Sequence, residues 1–256
     1  MAPRIGLFGF GKAGRAVATI LLNSKETRLE WVVRRSHRME HRSVPEYLGI
    51  DSDEPGTIIS VEAEEYRQLF QRRPVDIVVD FSSEEGLGEY LPMVREGGIP
   101  VVSAISHYSA EAIGQLVDLS RSVPLLWSPN ITLGVNFLLR ASRILRKIAP
   151  WADVEVVEEH FREKREVSGT AKRLAEAVDY PVEQIKSIRA GGIIGKHEVL
   201  FGFPFQTVRL IHESISREAF GNGALFAVKH LLGKPAGLYS MEDLLEPWFA
   251  TSESVG

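Results

Sequence analysis

Residues 4–22 read RIGLFGFGKAGRAVATILL. An apolar run, RIGLFG, ends in glycines, and KAGRAVATILL (12–22) follows with helical spacing. The first suits a buried strand and the second an amphipathic helix. Gly9, Gly11 and Gly14 sit at the junction in G-x-G-x-x-G spacing. The first glycine allows a tight turn, the second lets backbone approach a pyrophosphate, and the third lets the helix pack close to the strand. Phosphates then lie at the helix N-terminus, so Lys12 and Ala13 join the three glycines as expected cofactor-binding residues. A purely structural turn is the plainer reading of such a motif. Its strand-before, helix-after setting at the head of the chain favours a dinucleotide site.

Working outward, the first half alternates. Strand-like runs at 29–34, 75–82, 100–106 and 124–129 are separated by helix-like stretches at 84–98 and 110–121. Strands alternating with helices imply βαβ units and a parallel sheet. The pattern predicts a Rossmann-like, doubly wound dinucleotide-binding domain over 1–128. Phe81 and Ser82 follow a strand, and ligands bind at the carboxyl ends of strands in open α/β sheets. Both are expected near the cofactor.

The second strand runs into VVRRSHR (32–38). An NAD site usually carries an acidic residue about 20 residues after the glycines, for the ribose hydroxyls. Here Arg34 and Arg35 stand there, with Arg38 nearby. Their charged, planar forks suit a 2′-phosphate, so NADPH is the expected cofactor, with NADH left as an acceptable substitute. A solvated basic loop is the alternative.

After Pro129 the pattern changes. A long amphipathic helix is expected at 132–149, a strand at 153–160 and a helix at 171–178. Three strand-like runs follow, SIRAGGIIG, KHEVLFGF and FQTVRLIHES, with short links. Such strands suggest a mixed or antiparallel sheet, hence a second, α+β domain over 129–216. Helices are expected at 219–233 and 237–246, in a segment 217–256 that returns to the first domain.

The totals narrow the function. The 256 residues are 44% hydrophobic and 25% charged, with net charge −4. That balance gives no reason to expect nucleic acid or an anionic membrane as partner. The chain has no cysteine, which removes disulfide, thiolate and Cys-metal chemistry and suits a reducing cytosol. The start lacks the features of a secretory leader, and no run of about 18 apolar residues exists. A cytoplasmic location is therefore expected. The histidines at 37, 41, 107 and 230 share no ligand spacing, and no metal is expected.

Within the second half, EEHFREKREVSGTAKRL (158–174) joins a histidine, a lysine four residues on, and a Ser-Gly-Thr turn before a helix. A charge-rich surface loop is the bland reading. The sharper one is a seat for an anionic substrate beside a proton donor. An imidazole titrates near neutrality, and a carboxylate at a helix N-terminus meets unpaired N–H groups.

At this point the chain resembles the dihydrodipicolinate reductase family, NAD(P)H-dependent enzymes of the diaminopimelate and lysine pathway. The resemblance spans nearly the whole chain. It is carried by the glycine loop, VVDFSS (78–83), SPNITLGVN (128–136), EEHFREK with SGTA (158–171), RAGGIIGKHEV (189–199), ESISREAFGNGA (213–224) and GLYSMEDLL (237–245). It implies a nucleotide domain, a sheet domain for substrate binding and assembly, a homotetramer or homodimer, and an anionic small-molecule substrate. It also implies roles. His160 matches the proton donor, Lys164 the lysine that holds a substrate carboxylate, and Ser168, Gly169 and Thr170 the turn that grips it. Asn130 matches a hinge or nicotinamide-contacting position. The expected reaction is reduction of a cyclic imine, 4-hydroxy-tetrahydrodipicolinate first among them.

The chain departs from the family pattern on the substrate side. Phe161 replaces the second histidine of a pair, and Ser103-Ala104-Ile105-Ser106 replaces a threonine-rich loop that in the family contacts nicotinamide and substrate. The resemblance implies that Ser103 lies near the cofactor, with Ser103 and Ser106 replacing part of the lost hydroxyls. The 177–189 segment is short, and one residue and a proline are missing between Lys164 and Ser168. Another imine or imino acid, or an amino-acid or amine dehydrogenase activity, is the competing expectation. From another class comes a nucleotide-binding regulator without catalysis. His197 reads as a strand-edge structural residue at least as well as a functional one, and His212 as a sheet residue, while Arg217 and Phe220 begin the return segment that in the family approaches the cofactor, with packing the equal alternative.

Overall fold

The computed structural model describes residues 1–35, 42–60 and 66–250, with the side chain of Ala250 outside that set. Arg38, His37 and His41 lie outside the described residues. The chain forms two compact units, one from residues 1–131 and 220–256, the other from residues 132–219.

In the first unit, β1 (Arg4–Phe8), β2 (Arg28–Val33), β3 (Thr57–Ile59), β4 (Ile77–Asp80), β5 (Val101–Ser103), β6 (Pro124–Trp127) and β11 (Gly237–Tyr239) form one sheet. Its order is β11-β6-β5-β4-β1-β2-β3, parallel at every pairing. This is the doubly wound, Rossmann-like α/β architecture. The central strands are buried on both faces, which is why they read as continuous apolar runs rather than alternating ones. Crossovers come from α1 (Lys12–Asn23), α2 (Val44–Leu48), α3 (Tyr66–Arg72), α4 (Leu87–Gly97) and α5 (Ala110–Ser120). Beneath the glycine loop, Phe8 stacks on Tyr90 at 4.4 Å and meets Trp31 edge-on at 5.4 Å. Burying each of these rings is worth about 1.5–3 kcal/mol.

Residues 237–246 differ from the single helix expected there. Gly237–Tyr239 is β11, and α9 (Met241–Ala250) starts after it. Three residues are too few for periodicity to reveal, and β11 owes its state to pairing with β6. The elements α2, β3 and α3 gave no clear periodic signal for the same reason.

In the second unit, β7 (Asp153–His160), β8 (Lys186–Arg189), β9 (Lys196–Phe203) and β10 (Gln206–Glu213) form a four-stranded sheet in the order β10-β9-β7-β8. It is mixed, with β7–β8 parallel and the rest antiparallel. The run SIRAGGIIG is a strand only to Arg189 and then turns. One sheet face packs on α6 (Leu133–Ile148) and α7 (Gly169–Ala177) through Val156, Val199, Phe201, Leu138, Leu139 and Leu174. The helix α8 (Glu218–Leu231) follows.

The inward face of β7 is apolar at Val156 and then turns polar at Glu158 and His160, all buried. Side chains two apart share a strand face, so the core ends and a polar cluster begins at that step. Register brings His212, His197, Glu158 and Ser187 into one cross-strand row, with Arg189 beside His160.

Candidate active site: a nucleotide cleft and a buried acid–base cluster

The cleft of the first unit, about 870 Å³, is lined by Gly9, Gly11, Arg34, Arg35, Phe81 and Ser82 among others. Gly9 has φ +91°, and a Cβ there would stand 2.5 Å from the Phe81 carbonyl. A Cβ on Gly14 would stand 1.9 Å from the Gly9 carbonyl oxygen. Both positions need glycine for space, and Gly9 for conformation as well. Helix α1 starts at Lys12 with no capping side chain on Gly11. The N–H groups of its first turn, including those of Lys12 and Ala13, therefore lack a side-chain acceptor, as an anion site requires.

The two arginines differ. Arg34 has Nε and Nη1 buried without a hydrogen-bond partner, at the wall of the cleft. Buried guanidinium nitrogens with unused donors call for an anion. Arg35 is exposed and already engaged: its Nη2 donates to Ser83 Oγ at 2.9 Å and to Glu85 Oε2 at 2.8 Å. Ser82 is set by the fully buried Asp80, whose Oδ1 accepts from the Ser82 N–H at 2.8 Å and its Oγ at 2.6 Å. Burial pushes the Asp80 carboxyl up, against the hydrogen bonds from Ser82 and Tyr90.

Ser103 and Asn130 do not line this cleft. The Ser103 side chain is fully buried and its hydroxyl is paired with that of Tyr108 at 2.7 Å, so it is closed to a ligand. Ile105 is buried too. The Asn130 carbonyl accepts from Ser128 Oγ at 2.7 Å. Sequence reasoning did not single out Tyr66, Glu85 and Glu89, which also line the cleft. Tyr66 belongs to a short helix and is brought there by the fold.

The second unit gathers His160, Glu158, His197, Ser168 and Arg189. His160 Nδ1 lies 2.9 Å from Glu158 Oε2, an ion-pair distance with poor hydrogen-bond alignment. Glu158 Oε1 accepts from Arg189 Nη2 at 2.5 Å and from Ser187 Oγ at 2.8 Å. Its Oε2 also accepts from the Ser168 N–H at 3.2 Å. Burial pushes the Glu158 carboxyl up, but these donors outweigh it and hold the pKa at about 2. Burial lowers the His160 pKa below the usual 6.5, and Lys164 and Arg189 push the same way, while Glu158 opposes them. His197 is held at about 3, by burial first and by His160 next.

Ser168 caps α7, its Oγ accepting from the Ala171 N–H at 3.1 Å. It also meets His197 Nε2 at 2.9 Å. Gly169 and Thr170 are the first residues of α7, and Lys164 lies close enough to act on His160 through charge. So the structure brings His160, Lys164 and the Ser-Gly-Thr turn together. Phe161 is 41% exposed. Arg189, Ser187 and the role of Glu158 were missed. Glu158 carried a signal, standing two residues before His160 on one strand face; Arg189 and Ser187 needed the register of β8.

Glu158, His160 and His197 also bring three ligand-capable atoms within 4.8 Å of one another, which their sequence spacing did not suggest. A metal ion there would have to displace the Arg189 cation from Glu158, since both carboxylate oxygens are already engaged. That pairing makes the set a poor metal seat.

Two family profiles match the chain: "Dihydrodipicolinate reductase, N-terminus" over residues 3–131 and "Dihydrodipicolinate reductase, C-terminus" over residues 133–245. The chain belongs to the dihydrodipicolinate reductase family. It is 32% identical to the 4-hydroxy-tetrahydrodipicolinate reductase of Caldanaerobacter subterraneus subsp. tengcongensis, over 68% of this chain and 78% of that one. It is 28% identical to the enzyme of the same name from Syntrophus aciditrophicus, over 93% and 96%. A dipicolinate-bound dihydrodipicolinate reductase from Paenisporosarcina sp. TG-14 superposes with TM-score 0.76 at 19% identity, covering 94% of this chain and 98% of that one. An amine dehydrogenase from Mycobacterium smegmatis shares the fold at TM-score 0.64 and 12% identity, over 95% and 96%. Membership makes this chain an oxidoreductase. Among the described residues no helix is long and apolar enough to cross a membrane.

Proposed function

We propose that the protein is an NADPH-dependent reductase of a cyclic imine carrying carboxylates, with 4-hydroxy-tetrahydrodipicolinate as the first candidate. The observation that carries this reading is a histidine held by a buried carboxylate beside a serine-capped helix N-terminus. Bound in the cleft, the reduced nicotinamide supplies a hydride. Once the substrate's 4-hydroxyl leaves as water, hydride added at one end of the conjugated imine leaves the other end needing a proton, and His160 gives it. Lys164, the Ser168 and Thr170 hydroxyls and the first N–H groups of α7 hold the substrate carboxylate. Glu158 keeps the imidazole oriented and steadies its charged form, as a carboxylate behind a catalytic histidine does.

The unused donors of Arg34 support the 2′-phosphate, and hence NADPH over NADH. In the free protein His160 titrates below 6.5. An anionic substrate raises that pKa, because opposite charge favours the imidazolium. The kcat/KM profile therefore falls as pH rises through a value below 6.5, and the kcat limb lies at higher pH. Coincident limbs would remove the substrate from the protonation step.

The exposed Phe161, standing where the family pattern has a second histidine, favours one variation, a substrate with fewer polar groups facing that position. Assembly into a homotetramer or homodimer fits the exposed Ile188 and Ile211 on the uncovered sheet face, and light scattering tests it. The deciding experiment is oxidation of NADPH on addition of freshly generated 4-hydroxy-tetrahydrodipicolinate. Turnover supports the reading. Tight NADPH binding with no turnover on this substrate, and turnover on another imine, would move it to that imine.

A further inference from the structure

Residues 161–167 link the end of β7 to the Ser168 cap of α7 and carry Lys164. They belong to no helix or strand, so the shape of this loop depends on what its backbone groups meet. Two of its N–H groups have backbone partners: Arg162 donates to the Gly191 carbonyl and Lys164 to the Phe161 carbonyl, both at 3.1 Å. Two of its carbonyls are held by one side chain. Arg189 Nε donates to the Lys164 carbonyl at 2.7 Å, and Arg189 Nη2 to the Glu166 carbonyl at 3.0 Å.

The same guanidinium is the ion-pair partner of Glu158. Its Nη2 donates to Glu158 Oε1 at 2.5 Å, and its Nη1 to the Ile188 carbonyl at 3.0 Å. Four hydrogen bonds thus leave one rigid plane. Balancing the Glu158 charge needs only one of them, so the two bonds to the loop are surplus to charge balance. Arginine alone among the cations can make both sets, because its donors form a fixed fork around a permanent charge. A lysine has one nitrogen and cannot reach the carboxylate and the loop together. The Arg189 side chain is only 19% exposed, so water competes weakly for these bonds. Arg189 stands opposite His160 in the β7–β8 register, so the fork springs from the sheet and ends on the loop.

We infer that Arg189 is a positioning residue that clamps the Lys164 loop onto the Glu158–His160 pair, so that the lysine side chain starts from a fixed place relative to the histidine. That Lys164 holds an anion rests on the function proposed above; the clamp does not. Arg189 therefore has work beyond neutralising Glu158.

Arg189→Lys in the full chain isolates the clamp, since it keeps a cation for Glu158 and gives up the reach to the loop. Amide hydrogen exchange of the ligand-free protein reads the loop directly. The Arg162 and Lys164 N–H groups should exchange about tenfold faster or more than in the parent, with the β9 strand amides quickened far less. Equal acceleration of loop and strand, or none in the loop, would overturn the clamp whatever the substrate proves to be. Ser187→Ala is the control, because it removes another Glu158 donor and spares the loop bonds. The same loop acceleration there would trace the effect to Glu158 and overturn the clamp too.

A second measurement uses dipicolinate, a planar dianion, as probe. Arg189→Lys should weaken it by about tenfold, the size of one well-placed hydrogen bond to a charged group, with NADPH affinity unchanged. In turnover of 4-hydroxy-tetrahydrodipicolinate, KM should rise by a similar factor and kcat stay within about threefold, as for loss of uniform binding. Unchanged dipicolinate affinity, or a kcat that falls with KM kept, would overturn the positioning role. Failure of the parent protein to bind dipicolinate, with loop exchange as expected, would count against the substrate reading alone.

Discussion

The two sites of this protein are built in opposite ways. The nucleotide cleft is assembled largely from contiguous sequence, the glycine loop with the start of α1 and the end of β2, and it keeps donors unused. Arg34 has two buried nitrogens without partners. The cluster at the end of β7 is assembled from residues 158 to 197, far apart in sequence, and its carboxylate is saturated. Glu158 receives Arg189, Ser187 and Ser168, and faces His160. The difference teaches where specificity and chemistry reside. A site that waits for a phosphate can leave cations unsatisfied, because the ligand completes them. A site that must hold a proton at one atom has to spend its hydrogen bonds beforehand.

The largest effect should come from His160, the proposed proton donor. His160→Ala should lower kcat by about 10²–10⁴-fold, the usual span of positioned acid catalysis, with NADPH affinity unchanged. A kcat within threefold of the parent would break the contrast between the two sites. Next is the cost of disrupting the saturated cluster. Glu158→Gln leaves Arg189 without its charge partner and should destabilise the second unit by about 3–5 kcal/mol in urea melts. Acid should do the same in stages. His197 is held at about 3, below its unfolded 6.5, so stability falls as pH drops below 6.5. Glu158, held at about 2 against 4.5 unfolded, adds a second loss as pH falls through that window. Stability constant from pH 7 to 3 would contradict the cluster's electrostatics.

The cleft predictions are smaller. Arg34→Ala should weaken NADPH by about 10–100-fold, as loss of a charge-assisted contact does, and NADH far less. Equal losses in titration calorimetry would place the arginine away from the 2′-phosphate. The smallest effect concerns Arg35, which Glu85 engages at 2.8 Å. Glu85→Gln should free it and tighten NADPH by roughly two- to threefold, in keeping with a weak exposed ion pair. Any weakening would mean that Glu85 itself serves the nucleotide.

Reading the sequence reached the cleft more easily than the cluster, for a physical reason. The glycine loop is local: a strand, a turn and a helix start lie within residues 4–22, and each leaves its own spacing. Arg34 and Arg35 could be named from distance along the chain. The Ser103 side chain could not be judged that way, because its hydroxyl is consumed by Tyr108, five residues on but across a turn. His160, Lys164 and Ser168 were visible because they share one segment. Arg189 and Ser187 were not, since only the parallel register of β8 on β7 brings them to Glu158. The strand β11 was hidden for the same reason, existing through its pairing with β6.

The most direct test of the account is the solvent-proton and pH dependence of single-turnover reduction, with NADPH and 4-hydroxy-tetrahydrodipicolinate preloaded on parent and His160→Ala proteins. The account predicts that reduced-nicotinamide absorbance decays rapidly in the parent, with a rate that falls as pH rises. It predicts a decay about a hundredfold slower or more in the variant, with that pH limb gone. Equal decay rates and the same pH limb in both proteins would contradict it, and would take the proton donor away from His160.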